Sequence, residues 1–400
     1  MIDDHQIQSV APAVVHRPDS IEAYVEAVRQ CAHDGEKVVD YGRFHRGLGH
    51  APPAGHVQVV CPAGPVEHHV ADLSVTAAGG VSIGDLQMRL AENNQFLALD
   101  AEDEMTVAEV VAHDVSGPLR QSFGTCREQL LGLHLVDGRG ESITVGGRTV
   151  KNVAGYDVSR LMVGNLNTLG LLASATLKTA VIPPQITRVE IRDLRPSLLD
   201  DMLPGLLLSD ASPWYLQWSG SPATDQSAPP VLHLAYAGSP RGIDEHVRAL
   251  ESDLAAREAR APAVARHDGE LTDDRVERRA GWRGLHEAAA WVRLVVPPAV
   301  TGRTLEQLWT MPTAPARVLG LPAHGVIEVG GDWDVETARE VDRAMGELVR
   351  PAAGMRIWLK RPQDTATIPP VDPVPVDWPV LARMKDALDP GQTLNPGRLF

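Results

Sequence analysis

Cysteine is scarce. The 400-residue chain has three, Cys31, Cys61 and Cys126, far apart and in no CxxC pair. An iron–sulfur cluster or structural zinc held by this chain alone is therefore not expected. No GxxxxGK[ST] and no GxGxxG occurs, so neither a P-loop nor a Rossmann site is indicated. His286-Glu287 lacks the second histidine of HExxH, which removes support for zinc hydrolysis. No run approaches the roughly 18 apolar residues that span a bilayer, so direct membrane insertion is not expected. The opening Met1-Ile2-Asp3-Asp4-His5 has neither a basic stretch nor an apolar core, so no signal peptide is expected, and the composition fits a reducing cytoplasm. Basic residues are also in deficit, 37 Lys and Arg against 52 Asp and Glu, for a net charge of −15. An acidic surface repels phosphate backbones and makes nucleic acid an unexpected partner. It says nothing about a small anion, which responds to local charge.

At this length two or three domains are expected, from a prior of about 100–200 residues each. All eight tryptophans lie between Trp214 and Trp378, which supports a boundary near residue 185. Before it, Asp19 or Ser20 caps a helix running to about residue 34, with Ile21, Tyr24, Val25 and Val28 on one face. Strands are expected at 37–41, 57–60 and 71–78. A helix of about 83–93 follows, with Leu86 and Leu90 inward and Ser82 and Asp85 as a capping box. Leu133–Val136, Asp137-Gly138-Arg139-Gly140 and Ser142–Val145 read as a hairpin. Residues 169–179 read as a strand. Beyond 185, residues 219–230 read as a loop and about 243–260 as a charged helix. Residues 336–349 read as a helix with Ala338, Val341, Met345 and Val349 as its stripe. Strands are expected at 231–236, 291–296, 325–329 and 355–359. Mixed strands and helices on both sides of 185 imply two α+β domains.

The most specific stretch is Gly146-Gly147-Arg148-Thr149-Val150-Lys151-Asn152-Val153-Ala154-Gly155-Tyr156-Asp157, continuing through Gly164-Asn165-Leu166-Asn167-Thr168-Leu169-Gly170. Glycines permit close approach to backbone, and Lys151 and Asn152 add donors, a combination suited to a polar cofactor. A Gly-rich hairpin with a tight turn explains the same residues. The stretch resembles the KNVAGYDL…GSLGTLG signature of the flavin-binding subunits of bacterial glycolate oxidase. Two further pieces fit in order: Ser116-Gly117-Pro118-Leu119-Arg120 through Phe123-Gly124-Thr125-Cys126, and the ending Asp389-Pro390 to Asn395-Pro396-Gly397-Arg398. The resemblance covers about residues 10–182 and the extreme C-terminus.

It implies a two-lobed FAD-binding domain of the p-cresol methylhydroxylase type over 1–185, an α+β cap domain over 186–385, and a segment 386–400 returning to the flavin domain. Two loops would grip the FAD pyrophosphate, Gly42–Gly49 and Asp103–Ala112. The implied cofactor-binding residues are Gly42, Arg43 and Gly47 from the first and Thr106 from the second. Gly117, Gly124, Thr125, Lys151, Asn152, Gly155, Gly164, Thr168 and Asn395 complete the set. The implied reaction is oxidation of a small 2-hydroxy acid, glycolate to glyoxylate. The implied partners are a second flavin subunit and an iron–sulfur subunit, with any membrane association through them. No residue is singled out as catalytic base, and no metal site is expected.

Both loops depart from the family pattern. The first has Arg43, Phe44, His45 and Arg46 where the family has glycines; bulk is gained, and charge with it. The second reads Thr106-Val107-Ala108-Glu109 in place of Thr-Ile-Gly-Gly. A glutamate facing a pyrophosphate is repelled by ~4 kcal/mol at 4 Å for an effective dielectric of 20. An FAD-free structural or assembly subunit is thus an alternative, as is a flavoenzyme acting alone on D-lactate or another 2-hydroxy acid. Gly80-Val81-Ser82-Ile83-Gly84 fits the GxSxG elbow of hydrolases, yet a helix cap accounts for Ser82. His68 and His69 read as solvated loop residues. Arg293 and the tryptophans read either as pocket lining or as packing.

Overall fold

The computed structural model describes residues 12–40, 53–147, 158–221, 230–257, 263–311, 317–362, 368 and 371–398. It divides into two units: Met1–Ser116 with Phe123–Ile182 and Pro375–Phe400, and Gly117–Ser122 with Pro183–Val374.

The first unit has two lobes. In the smaller, Ser20 accepts the Ala23 N–H at 3.1 Å and starts the helix Ile21–Asp34; Gly35, at φ 72°, ends it. Tyr24, Val25, Val28 and Cys31 are buried along one face, spaced for a 3.6-residue period. They pack against Val57 and Val59 of the strand Val57–Val59, which pairs in parallel with Val14–His16. Removing such side chains from water stabilises by about 1.5–3 kcal/mol each. The expected strand at 37–41 shrinks, within the described residues, to a bridge at Val38, paired to Val57 on one side and Leu394 on the other.

The larger lobe is a five-stranded antiparallel sheet in the order Val66–His69, Ser74–Ala78, Leu171–Lys178, Leu130–Val136, Ser142–Gly146. The hairpin at 137–140 forms as expected. The strand expected from 71 begins at Ser74, because a 3₁₀ turn and Leu73 at φ 48° precede it. Helix Ile83–Ala91 buries Ile83, Leu86 and Leu90. His68 and His69 lie on an edge strand, not in a loop, and His68 Nε2 sits 3.0 Å from Gln95 Oε1.

The second unit is a nine-stranded antiparallel sheet. Its order is Ala263–Gly269, Ile186–Arg192, Val231–Ala237, Tyr215–Gly220, Arg317–Leu321, Val326–Gly331, Ala290–Val295, Met355–Lys360, Val371–Asp372. One face is apolar. Val189, Leu234, Leu216, Ile327, Val292 and Trp358 pack there against helices Leu198–Leu208, Pro240–Arg257, Thr301–Trp309 and Val335–Val349. The alternate residues of the same strands, among them Tyr215, Gln217, Glu328 and Arg293, occupy the other face. Helix Leu271–Glu287 reaches that face through polar groups. Tyr215 donates to Asp274 at 2.7 Å, Arg278 pairs with Asp274, and Trp282 Nε1 lies 3.4 Å from Gln217 Oε1. Among the described residues, no helix is long and apolar enough to cross a membrane.

Candidate functional site

Of the residues expected to hold a cofactor, Gly42, Arg43, Gly47, Lys151, Asn152 and Gly155 lie outside the described residues. Thr106, Gly124, Thr125, Gly164, Thr168 and Asn395 belong to the first unit. Gly117 groups with the second, in a short segment tied to it by Gln121 donating to Pro213 O at 2.7 Å and Ser122 to Trp214 O at 2.7 Å.

Thr168 and Asn395 are brought together by the returning C-terminal segment. Asn395 is 2 % exposed. Its Oδ1 accepts the Asp40 N–H at 3.0 Å, and its Nδ2 donates to Leu166 O at 2.9 Å. The side chain thereby holds Asp40, the last described residue before the Gly42 loop, beside Leu166–Thr168. Lys385 fixes the same place from below. Its Nζ donates to Thr168 O and Leu394 O, each at 2.8 Å, and to the Asp389 carboxylate. Asp389, fully buried, accepts the N–H groups of Thr393 at 2.7 Å and Leu394 at 2.8 Å. Burial pushes the Lys385 ammonium below its usual range, and Asp389 opposes that shift. Gly138 is required here: a Cβ on it would lie 2.1 Å from Asp389 Oδ1. Lys385 and Asp389 were absent from the expected site. Their i,i+4 spacing ahead of the NPGR ending was the available signal, but nothing local indicated burial.

The helix Val107–Ala112 starts at Thr106 with a complete capping box: Glu109 N–H donates to Thr106 Oγ1 at 3.2 Å, and Thr106 N–H to Glu109 Oε2 at 2.6 Å. Val107 N–H reaches Val81 O at 3.0 Å and Ala108 N–H reaches Gly79 O at 2.8 Å. Each N–H from Thr106 to Glu109 thus has a partner within the chain. Thr125 and Glu128 repeat the device, Thr125 N–H donating to Glu128 Oε2 at 2.7 Å. Ser82 accepts the Asp85 N–H at 3.1 Å, so its hydroxyl serves as the helix cap.

These residues fit an FAD at one end better than the other. Gly124 and Gly164 have φ 81° and 79° and allow close main-chain approach. Asn167 Oδ1 and Asp114 Oδ1 are buried acceptors with no partner among the described residues, suited to the hydroxyl and N–H donors of a flavin. The Thr106 capping box, in contrast, sets the Glu109 carboxylate in the turn that the resemblance assigns to the pyrophosphate. Arg43, Arg46 and Lys151 lie outside the described residues.

Within the second unit, Glu328 is fully buried, and both its oxygens are engaged. Trp291 Nε1 donates to Oε2 at 2.7 Å, and Arg293 Nε donates to Oε1 at 2.6 Å. Among the described residues the Arg293 guanidinium is held through Nε alone, which leaves both terminal amino groups for another acceptor; its side chain is 20 % exposed. Trp291 is buried. Thiol chemistry is disfavoured: burial pushes Cys31 and Cys61 up to about 12, and Cys126 well above its ordinary value. No group of three or more potential metal ligands occurs among the described residues.

Residues 12–146 match the family model described as FAD binding domain. The chain is 32 % identical over 169 residues to glycolate oxidase subunit GlcE of Escherichia coli, covering 41 % of this chain and 48 % of that one. It is 30 % identical over 175 residues to the mitochondrial D-lactate dehydrogenase [cytochrome] of Arabidopsis thaliana, covering 43 % and 31 %. The chain therefore spans less than half of either relative. An alkyldihydroxyacetonephosphate synthase structure shares the fold, with TM-score 0.66 at 14 % identity over 96 % of this chain and 76 % of that one. The fold is thus shared with that structure over nearly the whole chain. Its first unit carries an FAD-binding domain of the p-cresol methylhydroxylase type.

Proposed function

We propose that this chain is a flavin-linked subunit of an oxidoreductase that converts a small 2-hydroxy acid to the 2-oxo acid, glycolate to glyoxylate, alongside a second flavin subunit and an iron–sulfur subunit. The observation that carries the reading is the FAD-binding domain at residues 12–146, in a chain similar to a glycolate oxidase subunit. Bound FAD would supply the two-electron acceptor. The chain's own residues do the rest. Asn395, Lys385 and Asp389 hold Asp40 and the segment Leu166–Thr168 in one arrangement. Arg293, oriented by Glu328, offers a planar pair of donors matched to a carboxylate. The scarcity of cysteine fits a chain that passes electrons to a partner.

A second reading rests on Glu109. With its carboxylate on the Thr106 N–H and every N–H of that turn engaged, the same fold serves as an FAD-free structural subunit of the complex. Purification of the chain alone, followed by denaturation and assay of released flavin, separates the two. One FAD per chain, bleached anaerobically by glycolate, supports the first reading. A folded protein that takes up no FAD from excess leaves the second.

A further inference from the structure

The chain is strongly acidic, yet one cleft in the second unit reverses that sign. It is about 380 Å³ in volume and lies between helix Val335–Val349 and strands Met355–Lys360 and Val371–Asp372. Four arginines line it, Arg339, Arg343, Arg350 and Arg356, against two carboxylates, Asp342 and Asp372. We propose that this cleft binds the phosphate group of a small anion carrying at least two negative charges.

The helix sets the geometry. Arg339 and Arg343 are one turn apart and Arg350, the residue that caps the helix, lies two turns beyond Arg343, so all three share one face. Gly346 lies between them, and a Cβ there would meet nothing within 4 Å, which leaves the helix backbone open as a floor. Arg339, Arg343 and Arg350 form no ion pair among the described residues, although Asp and Glu outnumber Lys and Arg by 52 to 37. The carboxylates in the wall are turned elsewhere. Asp342 pairs with Arg356 and accepts Trp358 Nε1 at 2.7 Å. Asp372 stands 3.8 Å from Arg356 Nη2. Neither makes an ion pair with the three outer arginines among the described residues.

Arg356 is the independent sign of a ligand. It is 2 % exposed, and its Nε is buried without a partner among the described residues. A buried N–H left without an acceptor is destabilising, and an anion in the cleft offers the missing acceptor. Clefts of roughly 300–1,000 Å³ take small molecules. Three guanidinium groups around one cleft suit a tetrahedral oxyanion, because each planar fork engages two oxygens at once. A single monovalent carboxylate would leave at least one guanidinium unused.

The proposal is independent of the oxidase reading, and its test uses no turnover. Inorganic phosphate is titrated calorimetrically into the chain with and without excess FAD, so that binding at any flavin phosphate position is told apart from binding in the cleft. The same titration is made with R339Q/R343Q, whose changes are exposed and leave the core intact by circular dichroism. Saturable binding that weakens with salt, and that falls by about tenfold or more in the double variant, is expected from the loss of charge-assisted contacts. Flotation with phosphatidic acid vesicles, against phosphatidylcholine vesicles, identifies the source of the phosphate. Arginine-dependent flotation assigns a lipid headgroup; its absence alongside calorimetric binding assigns a soluble phosphate ester. Neither phosphate binding nor flotation, or equal binding by the double variant, overturns the proposal.

Discussion

The two units treat buried charge in opposite ways. In the first, ions close on themselves: Lys385 donates to Asp389 and two carbonyls, and Glu109 folds back onto its own helix start. In the second, carboxylates hold arginines by one edge and leave the other edge open, as Glu328 holds Arg293. A closed network fixes backbone. An open one presents charge. The contrast separates residues that shape a binding site from residues that can touch a ligand, even where both are ionic and buried.

Breaking the closed network should cost most. Replacing Lys385 by Met leaves Asp389 buried without its cation, and a loss of about 3–5 kcal/mol in unfolding free energy is expected from denaturant titration. A loss under about 1 kcal/mol would mean that the segment 385–395 does not depend on the pair.

Breaking the open network should spare the fold and affect substrate. R293Q is expected to raise KM for the hydroxy acid by about tenfold to a hundredfold, the value of one charge-assisted contact. Flavin reduction followed over a range of glycolate concentrations reads this directly. An unchanged KM would remove Arg293 from substrate recognition.

His324 sharpens the comparison through pH. Burial, with Arg120 nearby, pushes its imidazole down to about 4. Between that value and the ordinary 6.5 the unfolded chain binds a proton that the folded chain does not, so stability rises with pH across this window and is lost as pH falls through it. Because the ring is partly exposed, the effect should be no more than about 2 kcal/mol. Denaturation midpoints at pH 4.5 and 7, for wild type and H324Q, test it; the variant should show the smaller difference.

The smallest effect concerns the serine of the GxSxG run. S82A should cost about 1 kcal/mol, the value of a helix cap, and leave every activity in place. Loss of an esterase activity in S82A would revive the nucleophile reading.

Local physics made part of this protein legible from its residues. The helices at 21–34, 83–91 and 335–349 carry caps and apolar stripes that depend only on near neighbours, and they lie within two residues of expectation at each end. The hairpin at 137–140 follows from its turn residues in the same way. Helix Leu271–Glu287 was not legible, because the side it buries carries Asp274 and Arg278, which an apolar-stripe reading assigns to solvent. The flavin signature marked Thr168 and Asn395, yet Lys385 and Asp389 gained their role only when a segment more than 200 residues away folded against Thr168. Arg293 and Glu328 are 35 residues apart, and only the pairing of neighbouring strands makes them a unit. Caps, turns and stripes are short-range and belong to the sequence; the burial of a charge, and so its meaning, is set by distant chain and belongs to the tertiary structure.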